Sequence, residues 1–127
     1  MMQYFAINVR VLLLTASIQF EPCSLEKPTF TVQPAMADKY PQESVVFKCN
    51  ATGFPKPQVT WFHNGEKVQA SNVGRIQINS KNELIFTSLQ SGDKGTVQCA
   101  ATNDAGEAIS KAILNVKSEY QGYDVVQ

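Results

Sequence analysis

The segment LIFTSLQSGDKGTVQC, residues 84–99, contains the pattern that decides the fold of this chain. Leu84–Phe86 and the run that leads into Cys99 are short and β-rich, and turn-forming residues separate them, as expected of two strands. Cys49 lies 50 residues before Cys99, and Trp61 lies 12 residues after Cys49. This is the spacing with which two facing sheets enclose a buried indole. The segment therefore predicts a sandwich of two β-sheets.

The rest of the chain supports an all-β class. From Phe30 onward no window has helical apolar spacing long enough to compete with the strand pattern. Asn64-Gly65 is a strong hairpin signal, residues 103–106 predict a hairpin between the last two strands, and the proline-rich residues 53–57 exclude a central strand. The pattern predicts seven strands: Phe30–Val32, Val45–Cys49, Val59–Phe62, Arg75–Ile78, Leu84–Phe86, Thr96–Ala100 and Ala112–Val116.

The chain also contains several spaced motifs, namely Leu84-x-Phe86-x-x-Leu89-x-x-x-Asp93-x-Gly95-x-Val97-x-Cys99, Asn103-x-x-Gly106, Ala112-x-Leu114-x-Val116, Phe54-Pro55-x-Pro57 and Trp61-Phe62-x-Asn64-Gly65. Together they resemble the motifs of the immunoglobulin superfamily. The likeness is to its intermediate set (I-set), which occurs in neural adhesion molecules, matrix proteins and giant muscle proteins. The resemblance implies a two-sheet antiparallel Greek-key immunoglobulin sandwich over residues 28–117.

The resemblance also implies specific contacts. Cys49 and Cys99 are expected to form a disulfide against the core residue Trp61, and Arg75 is expected to form a salt bridge with Asp93. Strand alternation agrees with the first expectation, because an inward Cys49 is accompanied by inward Val45 and Phe47. The alternative is that Cys49 and Cys99 are buried free thiols in a cytosolic module, since a fold does not fix the compartment.

One position departs from the family pattern. The family usually has a tyrosine two residues before the second cysteine, hydrogen-bonded back to the loop that it closes, and this chain has Val97 there. Valine suits a buried strand, so the absence of the tyrosine hydrogen bond is expected to lower the free energy of unfolding by only about 0.5 to 1.5 kcal/mol. Without the tyrosine hydrogen bond, it is in doubt how firmly residues 90–95 are held. The Arg75–Asp93 salt bridge is expected to replace part of that interaction.

The two ends of the chain indicate the compartment. Residues 1–27 form a leader and linker in which Arg10 precedes an apolar run and then small residues, as in a secretory signal peptide. Residues 118–127 form a polar tail. Cys23 is the leftover cysteine, because it precedes the domain. We therefore predict a chain that is secreted or lies on the extracellular side of the cell surface.

Composition limits the partners. The chain has 11 basic and 11 acidic residues, spread so that no basic patch for nucleic acid appears. No run of about 20 apolar residues follows the domain, so the segment predicts no membrane insertion. We expect protein partners, either a second copy in homophilic binding or another cell-surface or matrix protein.

Few residues have the pattern of a chemical site. The single histidine, His63, lies beside a turn with no local partner, so we predict no catalytic residue, no metal site and no cofactor. Asn50-Ala51-Thr52 is an acceptor motif for N-glycosylation, and an inward Cys49 directs Asn50 outward. A chance match that is never glycosylated is the alternative.

A candidate protein-binding face lies on the sheet that contains Trp61, Cys99 and Leu114. Strand alternation turns four apolar residues outward on this sheet, namely Phe62, Ala100, Ile109 and Ile113. Neighbouring apolar residues on a surface indicate a contact site. The alternative is that they are the ordinary apolar part of any surface, with Phe62 covered by its neighbours.

These features predict an extracellular protein-recognition module and no enzyme. The resemblance implies cell adhesion or axon-guidance binding through a sheet face. The alternative is an intracellular sarcomeric structural module like those of titin, which would have neither a signal peptide nor a disulfide.

Overall fold

The computed structural model describes residues 24–118 of the chain. Residues 1–23 of the predicted leader and linker, with Cys23 among them, and residues 119–127 of the predicted tail therefore lie outside the described residues. The described part forms ten strands and one short 3-10 helix, Ser91–Asp93. The strands are β1 (Glu26–Val32), β2 (Ala37–Lys39), β3 (Val45–Phe47), β4 (Asn50–Phe54), β5 (Gln58–His63), β6 (Glu66–Lys67), β7 (Ile76–Ile78), β8 (Leu84–Phe86), β9 (Gly95–Asn103) and β10 (Gly106–Val116).

The strands form two layers. One layer is a five-stranded sheet in the order β2-β10-β9-β5-β6, in which β2 is parallel to β10 and the other neighbours are antiparallel. The second layer consists of the pair β1-β4 and the ladder β3-β8-β7. Since β3 and β4 follow each other in one continuous run, both ladders belong to this layer. The result confirms the all-β sandwich.

The core lies between the layers. It includes Trp61, Phe86 and Leu114, which have no exposed surface, and the disulfide Cys49–Cys99, whose Cα atoms are 6.6 Å apart. The Trp61 Nε1 donates a 2.9 Å hydrogen bond to the Asn82 carbonyl, so the polar atom of the buried indole is satisfied. The predicted disulfide is confirmed.

The strand parities also agree with the sequence. Phe47 is buried and Val45 packs against the core, whereas Val46 is 46% exposed. Val97 and Ala101 are completely buried on β9. The alternation that decided the fold thus assigns the inner and outer faces correctly.

Two turns set the register of the five-stranded sheet. Asn64 and Gly65 have φ values of +51° and +87° and join β5 to β6 in a two-residue hairpin, as predicted. Asp104 and Ala105 join β9 to β10.

Asn103 fixes the second hairpin to its surroundings. Its Oδ1 accepts hydrogen bonds from the backbone N–H groups of Ala105 and Gly106. Its Nδ2 donates to the carbonyls of Glu26 and Pro55 at 2.7 and 2.8 Å. The chain therefore enters the sandwich beside this turn. At the other end of β10, the Lys117 N–H donates to the Lys39 carbonyl at 2.7 Å.

The strand predictions need corrections. Strands β2, β4 and β6 were not predicted, because they have no buried apolar alternation. The run Val45–Cys49 is strand only to Phe47, since the chain changes partner from β8 to β1 after it. Strand β4 extends through Gly53 to Phe54, where it pairs only with β1, and the proline-rich segment begins after it.

Candidate protein-binding face

The four residues of the predicted binding face lie on the outer side of β5, β9 and β10. Ala100 is paired directly with Ile109, while Phe62 lies in register with Gln98 and Ile113 with Thr96. Their neighbours along each strand are the buried residues Trp61, Cys99, Ser110 and Leu114. The structure therefore brings Ala100 and Ile109 together and leaves Phe62 and Ile113 on opposite sides of β9.

Exposure differs among the four residues. Ile109 and Ile113 are 50% and 52% exposed, and Phe62 is half-buried. Ala100 is only 4% exposed. The expectation that Ala100 offers exposed apolar surface is wrong, because its methyl group is short and larger side chains surround it in the register.

Strands β5 and β10 are not the outer strands of this sheet. Strand β6 pairs outside β5, and β2 pairs outside the end of β10. Phe62 lies between its register partners Gln98 and Lys67, which accounts for its partial burial. Ile109 and Ile113 are therefore the principal apolar surface of the face.

Charged residues alternate with these isoleucines along β10. The outward positions in chain order are Glu107, Ile109, Lys111 and Ile113, and both charged side chains are exposed. An apolar centre with charges at its margin is the usual anatomy of a protein contact.

A salt bridge joins Arg75, which immediately precedes β7, to Asp93 in the 3-10 helix. Arg75 Nη1 is 2.7 Å from Asp93 Oδ2, and Arg75 Nη2 is 3.1 Å from Asp93 Oδ1, so the structure contains the pair that the resemblance implied. The Gln90 N–H also donates to Asp93 Oδ2 at 2.9 Å. This bidentate geometry is the strong form of a charge-assisted hydrogen bond.

The pair changes the acidity of both groups. Burial raises the pKa of Asp93, but hydrogen bonds from Arg75 and the Gln90 N–H, with the charges of Arg75 and His63, lower it by more. The pKa of Asp93 therefore lies below its ordinary value. The pKa of Arg75 is raised, chiefly by its hydrogen bond to Asp93.

His63 has a structural partner that sequence reasoning missed. Its Nε2 donates a 2.7 Å hydrogen bond to the Asp93 carbonyl, and its ring packs edge-on against Phe86 with centroids 5.0 Å apart. This partner could not be found from the local sequence, because Asp93 is 30 residues away. His63 thus ties the loop of residues 90–95 to β5.

Asn64 provides a second tie to the same loop. Its Oδ1 accepts from the Thr96 N–H at 2.9 Å, and its Nδ2 donates to the Lys94 carbonyl at 3.3 Å. A Cβ at Gly95 would collide with the Asn64 carboxamide, so glycine is required there. Together with His63, this side chain holds the loop that the absence of a tyrosine at Val97 put in doubt.

Asn50 is the exposed first residue of β4. It therefore lies on the layer opposite the candidate binding face. Among residues 24–118 no group of three or more His, Cys, Asp or Glu side chains could hold a metal ion. No helix in the same residues is long and apolar enough to cross a membrane.

Comparisons with known proteins identify the family. Residues 28–116 match the model of the immunoglobulin I-set domain. The chain is 36% identical to Neuroglian of Drosophila melanogaster over 92 residues, which are 72% of this chain and 7% of Neuroglian.

The similar solved structures include the following two. The extracellular domains 3-5 of Drosophila OTK give a TM-score of 0.69 at 28% identity, over 73% of this chain and 32% of that chain. An I-band fragment of titin gives 0.67 at 28% identity, over 75% and 34% of the two chains. With its disulfide, its buried Trp61 and its two-layer topology, this chain belongs to the immunoglobulin I-set family.

Proposed function

We propose that this chain is an extracellular protein-recognition module, of the kind used in cell adhesion or axon guidance, and that it binds through the outer face of β5, β9 and β10. Immunoglobulin domains commonly bind other proteins. The observation that carries the choice of face is the pair of half-exposed isoleucines, Ile109 and Ile113, on one strand. The proposal assigns no catalysis to the chain.

The opposite layer is a poorer candidate. Its exposed apolar residues include Val46 and Phe54. These two residues lie on different strands, Val46 on the three-residue strand β3 and Phe54 at the last position of β4. A glycan on Asn50 would cover part of that layer. The five-stranded sheet would then be the face left open for a protein.

The face is tested by a matched pair of substitutions. Ile109→Glu places a charge on the proposed face, and Val46→Glu places the same charge on the opposite layer at similar exposure. Both should fold, because the replaced side chains are half-exposed. Binding is measured by surface plasmon resonance against purified extracellular proteins, this chain among them.

We expect Ile109→Glu to weaken binding by about 2 kcal/mol or more and Val46→Glu to leave it unchanged. Phe62→Glu is a further variant, and its half-buried ring predicts some loss of stability as well as of binding. If only Val46→Glu loses binding, the face is wrongly assigned.

A second candidate function is a structural module like those of titin, which the similarity to the titin fragment favours. An intracellular module would carry neither a signal peptide nor a disulfide. The two candidates are separated by the mature N-terminus of chain secreted from eukaryotic cells and by its mass without reductant. Retention in the cytosol with reduced Cys49 and Cys99 would favour the structural module.

A further inference from the structure

We infer that the outer face binds a second copy of this chain, with a two-fold axis that crosses the strands along the row of Ile109, Ala100 and Thr60. The inference rests on the proposed function, because it names the partner for the same face. It is carried by the order of charges and side-chain sizes around that row.

The register divides the outer face into rows that run across the strands. Ile109 is paired with Ala100, and Ala100 with Thr60, which gives a central row without a large polar side chain. The row on one side consists of Glu107, Thr102 and Gln58. The row on the other side consists of Lys111, Gln98 and Phe62.

A two-fold axis in the plane between two such faces reverses the strand direction and keeps the position across the sheet. When the axis lies over the central row, each flanking row of one copy faces the other flanking row of its partner. Glu107 then faces Lys111, Thr102 faces Gln98, and Gln58 faces Phe62, and symmetry makes each of these contacts twice. Opposite charges therefore meet at the first of these contacts and hydrogen-bonding side chains meet at the second, while at the third the Gln58 side chain packs against the Phe62 ring.

The dimensions allow these contacts. Each flanking row lies about 7 Å from the central row, and facing sheets pack about 10 Å apart. A lysine and a glutamate together span that gap. Sheets that pack face to face cross at about 30°. Because the flanking rows lie so close to the axis, this rotation displaces each row by only a few ångströms from the row that it faces.

The centre of the face is suited to close approach. Ala100 is 4% exposed and does not project, and the axis places Ile109 of one copy against Ile109 of the other. The formal net charge of the chain is zero, and two copies therefore do not repel each other as wholes. Other axis positions along β10 lose the charge pairing. An axis over Lys111, for example, places Lys111 on itself and Ile109 opposite Ile113.

The expected dimer is weak. A sheet about 24 Å wide and 20 Å long offers a flat area of roughly 500 Å², below the roughly 800 Å² per partner of a stable complex. We therefore expect a concentration-dependent equilibrium between monomer and dimer rather than a permanent dimer.

Charge exchange tests the two-fold arrangement. The full chain is expressed in eukaryotic cells with Cys23→Ser in every variant, so that no disulfide joins two chains. Its mass is followed by sedimentation over roughly 10 μM to 1 mM. Glu107→Lys and Lys111→Glu should each weaken the dimer by roughly tenfold or more, because like charges then face each other.

The two variants should rescue each other. A mixture of Glu107→Lys with Lys111→Glu should form a heterodimer, and the double variant should dimerise like the original chain. Val46→Glu is the control and should not change the equilibrium. A contact that is not two-fold about the central row would show no such rescue.

Three results would overturn the inference: a monomer at the highest concentration, a dimer that neither charge exchange weakens, or variants that fail to rescue each other. The proposed function would survive the first result if Ile109→Glu still abolished binding to a different extracellular protein. It would fail with the inference if Ile109→Glu changed no interaction at all.

Discussion

Asp93 holds a negative charge in a nearly water-free position. Its side chain is buried and accepts hydrogen bonds from Arg75 and the Gln90 N–H, while its carbonyl accepts from His63. Asp93 therefore joins the residue that precedes β7, its own loop and strand β5. A buried carboxylate of this kind stabilises the fold only while it is ionised.

We expect Asp93→Asn to lower the free energy of unfolding by about 1 to 3 kcal/mol near neutral pH, because a charged hydrogen bond is lost. The folded-state pKa of Asp93 is lowered, so its contribution is complete above the unfolded-state pKa of about 4 and disappears as the pH falls through the folded-state value. Urea unfolding from pH 7 to about pH 2.5 measures this. Asp93→Asn should lose less stability than the original chain below about pH 5. Equal acid losses would contradict the role given to this carboxylate.

Asn50 is expected to carry an N-linked glycan in chain that enters the secretory pathway. Its side chain is exposed at the start of β4, and Thr52 completes the acceptor motif. Asn50→Gln should increase the gel mobility of the secreted chain, and glycosidase treatment of the original chain should produce the same shift. Secreted chain of unchanged mobility in both comparisons would remove the site.

At the scale of elements, the hairpin of β5 and β6 acts as a clamp on the loop that leads into β9. Two side chains of one turn region, His63 and Asn64, bond to backbone groups from Asp93 to Thr96. The clamp therefore holds this loop in a chain that has valine at position 97.

We expect Asn64→Gly to lower the free energy of unfolding by about 1 to 2 kcal/mol, because glycine keeps the positive φ of the turn but loses both side-chain hydrogen bonds. Asn72→Gly, in an exposed loop, is the matched control and should change stability by about 0.5 kcal/mol or less. Chemical denaturation compares the two. A smaller loss for Asn64→Gly than for Asn72→Gly would mean that the clamp contributes nothing.

Sequence pattern predicted elements where burial enforces alternation. Leu84–Phe86 was predicted with its observed bounds, since both of its ends are buried. Strand β2 was missed because it exists through pairing with the edge of β10, and its own residues bury little. The inner and outer sides of the binding face were predictable from the period of two. The burial of Ala100 could not be predicted from this period, because it depends on the sizes of the side chains on the neighbouring strands.

At the scale of the whole molecule, one disulfide joins the two layers. Alkylation of secreted, non-reduced chain should modify Cys23 at most, because Cys49 and Cys99 are bonded to each other. Reduction of this disulfide should lower the free energy of unfolding by about 4 kcal/mol, because the unfolded chain is then no longer constrained by a closed loop of 50 residues. Modification of all three cysteines without reductant would contradict the extracellular assignment, though not the fold. Mass spectrometry after digestion identifies the labelled residues.

The positions of the two ends of the sandwich determine which hydrogen bonds are loaded when it is stretched. The chain enters beside Asn103 and leaves beside Lys39, at opposite ends of β10, whose 11 residues span roughly 37 Å. A tension applied between these ends pulls β1 and β2 one way and β10 the other. Because β2 runs parallel to β10, their hydrogen bonds lie across the line of force and are loaded together in shear. These hydrogen bonds resist the tension together. In a hairpin that is pulled open from one end, the hydrogen bonds would instead break one after another.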